Sequence, residues 1–364
     1  MKSVRLSRRN PVVPRKLKKN DKRENVSSVL RLADLQCPVP FWFAAPELFQ
    51  NTTVKLAEGS FGEVYKVWKV NGEKRILKIV PVGDRNPQTR EVQLTFRDII
   101  AELCASLELA KLSSGSRNRC PSFPNIYRVC VVRDVYPDAA IEAWTKYFSK
   151  KRSSHPRPNC YKEDQAFITI ETEDSGGSLG TYPITCCLEA KSIFKQVATA
   201  VAVAEEELFF EHRDLHMNNI LIKECNEEEL VFKLRNKRHV IKTYGVKATI
   251  IDFTYSRIST TDGIKFMDLN NVYDPEPDSP RKFLDHHFVY SQMEEITRSQ
   301  WSTFSPKTNI LWLKHVAECL WQELKDKDPT SNEETASQIS LLVYNRTCLS
   351  YESASEFVGE IVAE

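Results

Sequence analysis

The chain has 364 residues, 41% hydrophobic and 27% charged, with a formal net charge of only +2. That length allows a substantial core in one large domain or two medium ones, and the near balance of charge excludes a global field drawing the protein to nucleic acid. No run of about eighteen apolar residues occurs and the N-terminus lacks the apolar core of a secretion signal, so the protein is expected to be neither secreted nor membrane-spanning. The ten cysteines are scattered without Cys-x-x-Cys spacing and read as reduced core residues of an intracellular protein, not a disulfide or zinc framework.

Charge is unevenly placed. Residues 1 to 24 carry ten Lys or Arg, among them Arg8, Arg9, Lys18, Lys19, Lys22 and Arg23, against Asp21 and Glu24. This reads as a disordered basic arm over residues 1–28, suited to nuclear import or nucleic-acid contact and equally to simple solvation. Residues 25 to 50 are mixed, and Pro38, Pro40 and Pro46 predict an irregular lead-in. Val54 to Val70 alternates apolar and polar residues around Ala57-Glu58-Gly59-Ser60-Phe61-Gly62, the pattern of two antiparallel strands joined by a glycine-bearing turn. Arg75 to Val80 reads as the next strand, with Ile76, Lys78 and Val80 on one face. A lysine sharing a face with two apolar residues needs an anion to meet it. Thr89 to Leu112 then carries Phe96, Ile100, Leu103, Leu107 and Ala110 at helical spacing, and Glu102, or alternatively Glu108, borders that stripe.

Gln165 to Glu171 is another short apolar strand, ended by Glu171-Thr172-Glu173-Asp174 and the glycines Gly176 and Gly177. Cys186 to Leu208 predicts a long helix with a buried face of Ile193, Val197, Val201, Ala204 and Leu208. It delivers the chain to His212-Arg213-Asp214-Leu215-His216-Met217-Asn218-Asn219. Ile220 to Ile222 is a short strand, residues 223 to 247 are rich in Glu, Lys and Arg and read as a mobile hairpin, and Ala248 to Asp252 is an apolar strand ending in an acid. Beyond it, Asp268, Asp274, Glu276 and Asp278 form either an acidic groove for a basic partner or a solvated loop broken by proline. Residues 325 to 364 are polar, with an apolar helical stripe at Ile339, Leu342 and Val343 expected to pack on the rest.

Each piece is weak alone, but their order resembles a protein kinase. The kinase catalytic loop has an Asp that receives the proton of the attacking hydroxyl and an Asn five residues later that holds a metal ion, here Asp214 and Asn219. The resemblance implies that Ala57, Glu58, Gly59, Ser60, Phe61 and Gly62, with Val64, cover the phosphates of ATP, because glycine lets backbone N–H groups approach them. It implies that Lys78 holds the α- and β-phosphates with Glu102 as its partner, and that Asp252 binds Mg2+ together with Asn219. Backbone around Glu171, Glu173, Asp174 and Ser178 would be a hinge that meets the adenine, and Leu221 the floor of its pocket.

More specifically, the chain resembles the haspin family of atypical serine/threonine protein kinases. The likeness is carried by His216 after the Asp-Leu pair, where most kinases have Lys, and by Asp252-Phe253-Thr254 in place of Asp-Phe-Gly. Ser256-Arg257, Phe61 to Val64, Ala143-Trp144 with Tyr147, and Asn309-Ile310-Leu311-Trp312-Leu313 also match. The resemblance implies an α+β, bilobal protein-kinase-like fold: a small β-rich N-terminal lobe at about 29–170, a hinge at about 171–178, and a larger, mainly helical C-terminal lobe at about 179–364. It implies ATP and Mg2+ as cofactors, a basic protein substrate phosphorylated on a threonine of a core histone tail in mitosis, and so chromatin as partner and the nucleus and chromosomes as location. His216 and the acidic segment would face that peptide. Some positions depart from the family: Ala57 replaces the first glycine, Ile76 stands where Ala is usual, Asn218 replaces a glycine, and Phe288 stands where an Asp should brace the catalytic loop, Asp285 being out of register. They keep open an inactive pseudokinase serving as a chromatin-bound module. A small-molecule phosphotransferase shares the loop spacing, but the length of the haspin-like match argues against it.

Overall fold

The computed structural model describes residues 19–50, 52–59, 61–83, 93–270 and 287–361. The basic stretch before residue 19, Ser60, Asp274, Glu276, Asp278 and Asp285 lie outside the described residues. The chain forms two compact units, one made of residues up to 100 with 127–172, the other of 101–126 with 173–364.

In the first unit, α1 (Lys19–Leu32) corrects the expectation of an arm disordered to residue 28. The helix is closed by Asp34 in the left-handed conformation (φ 52), which lets the Leu35 N–H reach the Leu30 carbonyl at 2.9 Å. The lead-in is ordered too: α2 (Phe41–Ala44) follows Pro40, and the Phe41 N–H is met by the Asp134 carboxylate at 2.9 Å. Then come β1 (Val54–Glu58), β2 (Glu63–Trp68), β3 (Lys74–Val82), the first turn of α3 (Phe96–Lys111), whose remainder from residue 101 groups with the second unit, β4 (Ile126–Arg133), α4 (Asp138–Phe148) and β5 (Ala166–Glu173). The strands form one sheet in the order β1-β2-β3-β5-β4. Alternation sets its faces: Tyr65, Val67, Leu77 and Ile79 enter a core with Phe41, Val132, Tyr136 and Phe167, while the cross-strand partners Val64 and Lys78 share the other face. Helix α3 begins later than the expected Thr89. Leu94 bridges to Val82, and Thr95 and Asp98 cap each other, Thr95 N–H to Asp98 Oδ2 at 3.0 Å and Asp98 N–H to Thr95 Oγ1 at 3.3 Å.

The second unit holds β6 (Gly177–Ser178), α5 (Cys187–Leu208), β7 (Ile220–Glu224), β8 (Glu229–Leu234), β9 (Lys237–Lys242), β10 (Val246–Ile250), β11 (Arg257–Thr260), β12 (Gly263–Phe266), α6 (His287–Thr297), α7 (Lys307–Leu324), α8 (Asn332–Thr347) and α9 (Ala354–Ile361). The expected face of α5 is buried, and so is most of its circumference, Ala198, Ala200, Ala202 and Val203 included. A helix apolar all round is a central one. Residues 101–126, expected in the N-terminal lobe, group here because Phe123 packs against Phe210 and Phe253, and the Ser122 carbonyl accepts the Ile250 N–H at 2.9 Å. The charge-rich stretch after 223 does form a hairpin, β8 with β9, but Leu230, Phe232, Leu234 and Ile241 are buried, so it is a packed element, not a mobile one. The stripe read on α8 is also corrected. Ile339 is 56% exposed and Val343 is exposed, while Ser337, Leu341 and Tyr344 face inward, Tyr344 stacked on Phe194. A serine in the buried row disguised it.

The fold class is the α+β one expected, β-rich first and mainly helical after. All ten cysteines are free thiols, and no helix among the described residues is long and apolar enough to cross a membrane.

Candidate active site

The loop after α5 is held from inside. The Glu211 carboxylate receives two N–H donors of Arg213 at 3.1 and 3.0 Å, the Ser305 N–H at 2.9 Å and the Thr308 hydroxyl at 2.8 Å, and both side chains of the ion pair are 0% exposed. A pair whose carboxylate is met by four donors can be buried, although Arg213 Nη1 finds no hydrogen-bond partner among the described residues. It holds Arg213 at φ 64, a left-handed conformation that costs a non-glycine residue roughly 1–2 kcal/mol. Buried His212 accepts the Asp214 N–H on Nδ1 at 3.3 Å and donates from Nε2 to the Ile251 carbonyl at 3.1 Å. Burial takes its pKa down to about 4, so it works here as a neutral spacer.

Asp214 is 9% exposed. Asn219 donates from Nδ2 to the Asp214 carbonyl at 2.8 Å and reaches its Oδ2 at 3.4 Å, while the Tyr290 hydroxyl, on α6, donates to Oδ1. The turn Met217–Asn219 that seats Asn219 is capped by His216, whose Nδ1 accepts the Asn218 N–H at 3.2 Å. In that tautomer Nε2 bears the proton, and it lies 3.9 Å from Asp214 Oδ1. Strand register brings in the second acid. Ile250 pairs with Ile220, the Ile251 N–H donates to the Asn219 carbonyl at 2.9 Å, and Asp252 follows with φ 64. Asp252 Oδ1 meets the Thr254 hydroxyl at 2.7 Å, and the same hydroxyl lies 3.0 Å from Glu102 Oε2. Thr254 thereby links the acid of α3 to the acid after β10.

The brace expected at Phe288 comes from elsewhere. Phe288 sits partly exposed on α6, and Asn309 of α7 holds the loop instead: its Oδ1 accepts the His212 N–H at 3.2 Å, and its Nδ2 donates to the Phe210 carbonyl at 2.8 Å and to Glu205 Oε2 at 3.0 Å. An amide is suited to this because it both donates and accepts. Asn309 opens the Asn-Ile-Leu-Trp-Leu block that carries part of the resemblance, a signal that could have found it; no spacing pointed to Tyr290.

Other expected residues fall into place within each unit. Ser178 pairs with Leu221 across β6 and β7 and donates to Asn218 Oδ1 at 2.8 Å, and Leu221 faces away from buried Ile220 and Ile222. Asn218 is accommodated because Gly180 has no Cβ, which would stand 2.4 Å from Asn218 Oδ1. Glu173 is bonded to Asn125, and Asp174 accepts the Gly176 N–H at 3.2 Å. Asp268 is exposed, its carboxylate closing a local turn on the Asn270 N–H. In the first unit, Gly59 N–H donates to the Gly62 carbonyl at 2.8 Å, and a Cβ on Gly62 would stand 2.5 Å from the Ile79 carbonyl. Ala57 follows a bulge in β1, Phe61 and Ile76 are half-buried, and the Lys78 side chain passes beside Gly59. Two expected nucleotide residues have side chains engaged elsewhere. Glu171 is ion-paired with Lys69 at 2.7 Å, and Glu58 with Lys55 at 2.7 Å.

A catalytic-loop Asp tied to its Asn and followed by a second Asp from the adjoining strand, in a chain that also carries a glycine turn and a strand lysine, defines a protein-kinase-like phosphoryl-transfer domain. Residues 16–353 match the family model described as haspin like kinase domain, and the chain belongs to that family. The serine/threonine-protein kinase haspin of Mus musculus is 33% identical over 88% of this chain and 42% of its own length. The haspin homolog of Drosophila melanogaster is 30% identical over 93% of this chain and 61% of its own, and that of Arabidopsis thaliana 30% over 87% and 51%. The chain thus spans about half the length of the curated relatives it matches.

Proposed function

We propose that the protein is a serine/threonine kinase that transfers the γ-phosphate of ATP to a threonine of a basic protein. The observation that carries this is the tie between Asp214 and Asn219 with Asp252 delivered beside them by strand register. Asp214 orients the attacking hydroxyl and accepts its proton. Asn219 and Asp252 offer oxygen donors of the kind Mg2+ selects, and binding the Asn219 nitrogen to the Asp214 backbone turns its carbonyl oxygen the other way. Gly59, Gly62, Val64 and Lys78 would hold the phosphates, with the Glu171–Asp174 backbone, Ser178 and Leu221 at the adenine. The cradle suits them, since Gly62 approaches β3 too closely to carry a side chain. ATP supplies the phosphoryl group and Mg2+ offsets its charge.

The substrate reading is a core histone tail on mitotic chromatin, in the nucleus, supported by the family resemblance and by exposed Asp268 as one acidic contact. The basic residues before 19 would add a contact to nucleic acid. Activity is favoured over an inactive binding module because Asn309 supplies the loop brace whose loss at Phe288 would have marked decay. The test is radiolabelled transfer from Mg-ATP to a histone-tail peptide. Asp214→Asn is expected to lower the rate at least about 100-fold. Absence of transfer by the wild type, with Mg-ATP also failing to raise its melting temperature, would sink the enzyme reading.

A further inference from the structure

The turn between β1 and β2 is anchored by a loop that reads as a target for modification. A bulge in β1 between Lys55 and Ala57 puts Lys55 on the same face as Glu58, and Glu58 pairs directly with Glu63 at the closing end of the hairpin. Two carboxylates opposed in this way repel, and the buried Lys55 ammonium joins them, 2.7 Å from Glu58 and 2.5 Å from Glu63. The remaining capacity of Glu58 is filled by the loop after α4: the Ser153 hydroxyl donates to Oε1, and the Ser154 N–H and hydroxyl donate to Oε2 at 2.9 and 2.8 Å. The next residue, His155, meets Glu63 at 3.2 Å. Burial alone would raise the Glu58 pKa, but Lys55 and these serine donors outweigh it and hold the group down at about 2. Glu58 therefore stays ionised, with donors on every side, immediately before Gly59.

That loop has a second character. Residues 149 to 157 belong to no helix or strand, Ser154 is exposed, and it is preceded by Lys150, Lys151 and Arg152, all exposed. An exposed loop serine after three cations is what the acidic substrate groove of a basic-directed serine kinase binds.

We propose that Ser154 is a phosphorylation site for such a kinase and that its phosphorylation releases the β1–β2 turn from the loop. The Ser154 Oγ attacks the γ-phosphorus of a nucleoside triphosphate held by the modifying kinase. The bond from that phosphorus to the bridging oxygen breaks, a nucleoside diphosphate leaves, and the hydroxyl proton passes to the modifying enzyme's base. The product loses the hydroxyl donor to Glu58 and sets a group of about −1.5 to −2 charge against a carboxylate. Repulsion drives the loop off Glu58, and Lys150, Lys151 and Arg152 offer the phosphate other partners. The effect on nucleotide handling rests on the proposed kinase function, whereas the release itself does not.

The test uses the full chain carrying Asp214→Asn, which silences its own transfer, incubated with ATP and a serine kinase that prefers basic residues before its target. Mass spectrometry is expected to find phosphate on Ser154 and none in the Ser154→Ala form. Backbone amides from Gly59 to Val64 should then exchange with deuterium about tenfold faster. In a Glu58→Gln background, which removes the repelled charge, phosphorylation should change exchange less than about twofold. Failure of the folded chain to be modified at Ser154 overturns the proposal, as does modification with unchanged exchange or with equal acceleration in Glu58→Gln. With Asp214 restored, a rise of about fivefold in the KM for ATP tests the link to nucleotide binding. If the chain transfers no phosphate at all, the exchange result still decides the release.

Discussion

In the first unit, Lys55, Glu58, Glu63 and His155 share charge across two strands and a loop; in the second, Glu211 and Arg213 share it within three residues, framed by Ser305, Thr308 and, one residue further on, His212 and Asn309. The first cluster mixes long-range partners with a histidine whose side chain is 21% exposed. The second is sealed, and its partners are backbone amides, hydroxyls and a fork-shaped guanidinium. The difference teaches what each is fitted for. A cluster with a titratable, partly wet member can be loosened, whereas a fully desolvated ion pair whose carboxylate is met by four donors fixes the loop it sits in, even with Arg213 Nη1 left without a hydrogen-bond partner among the described residues.

The contrast can be broken most severely at Glu211. Glu211→Ala strands a buried guanidinium and should cost about 3–5 kcal/mol, read from denaturant unfolding; a loss under about 1 kcal/mol would mean the sealed cluster is no more rigid than the other. Asn309→Leu leaves the His212 N–H, the Phe210 carbonyl and Glu205 short of a partner, with an expected loss of about 2–3 kcal/mol. Lys55→Met should cost less, about 1–3 kcal/mol, because Glu58 and Glu63 keep their serine and histidine donors. Its cost should also fall at low pH, where His155 is charged.

Protonation sharpens the comparison, since the two histidines titrate with opposite sign. Burial would lower the His155 pKa, but its bond to Glu63 and the charges of Glu63 and Glu58 win and raise it above the ordinary 6.5. Its stabilisation is therefore complete below about pH 6.5 and is lost as pH rises through the raised value. His212 is lowered to about 4 by burial, so its contribution is complete above about pH 6.5 and is lost as pH falls through about 4. Melting temperature against pH should show His155→Asn flattening the alkaline slope and leaving the acid slope in place. An alkaline slope unchanged in that variant would remove His155 from the cluster's energetics. At the bottom of the scale, Ile339→Ser on the outer face of α8 should move stability by no more than about 0.5 kcal/mol, and a larger loss would return the stripe to the interior.

The strands around the glycine turn, the α5 helix and the two acids Asp214 and Asp252 were legible because period-2 and period-3.6 patterns and fixed motif spacings are local properties of a chain. On α3 the helix was legible but its inner row was not: Ile99, Leu103 and Leu109 are buried, whereas Phe96, Ile100, Leu107 and Ala110 are only half-buried. Local reading also has a limit, visible on α8, where Ser337 in the buried row and Ile339 outside it inverted the stripe.

What the sequence by itself determined is the family and the order of the elements, and it singled out Asp214, Asn219 and Asp252 as the candidate site, since those reside in residue type and spacing. Only the tertiary structure decided what holds them. Asn309 bracing the loop from 97 residues beyond His212, Tyr290 donating to Asp214, Thr254 meeting Glu102 across 152 residues, and Ser154 bonding Glu58 across 96 are all partnerships between distant segments. A buried polar group must find a partner wherever the packed chain offers one, and that choice is made by packing and desolvation, which no local pattern encodes.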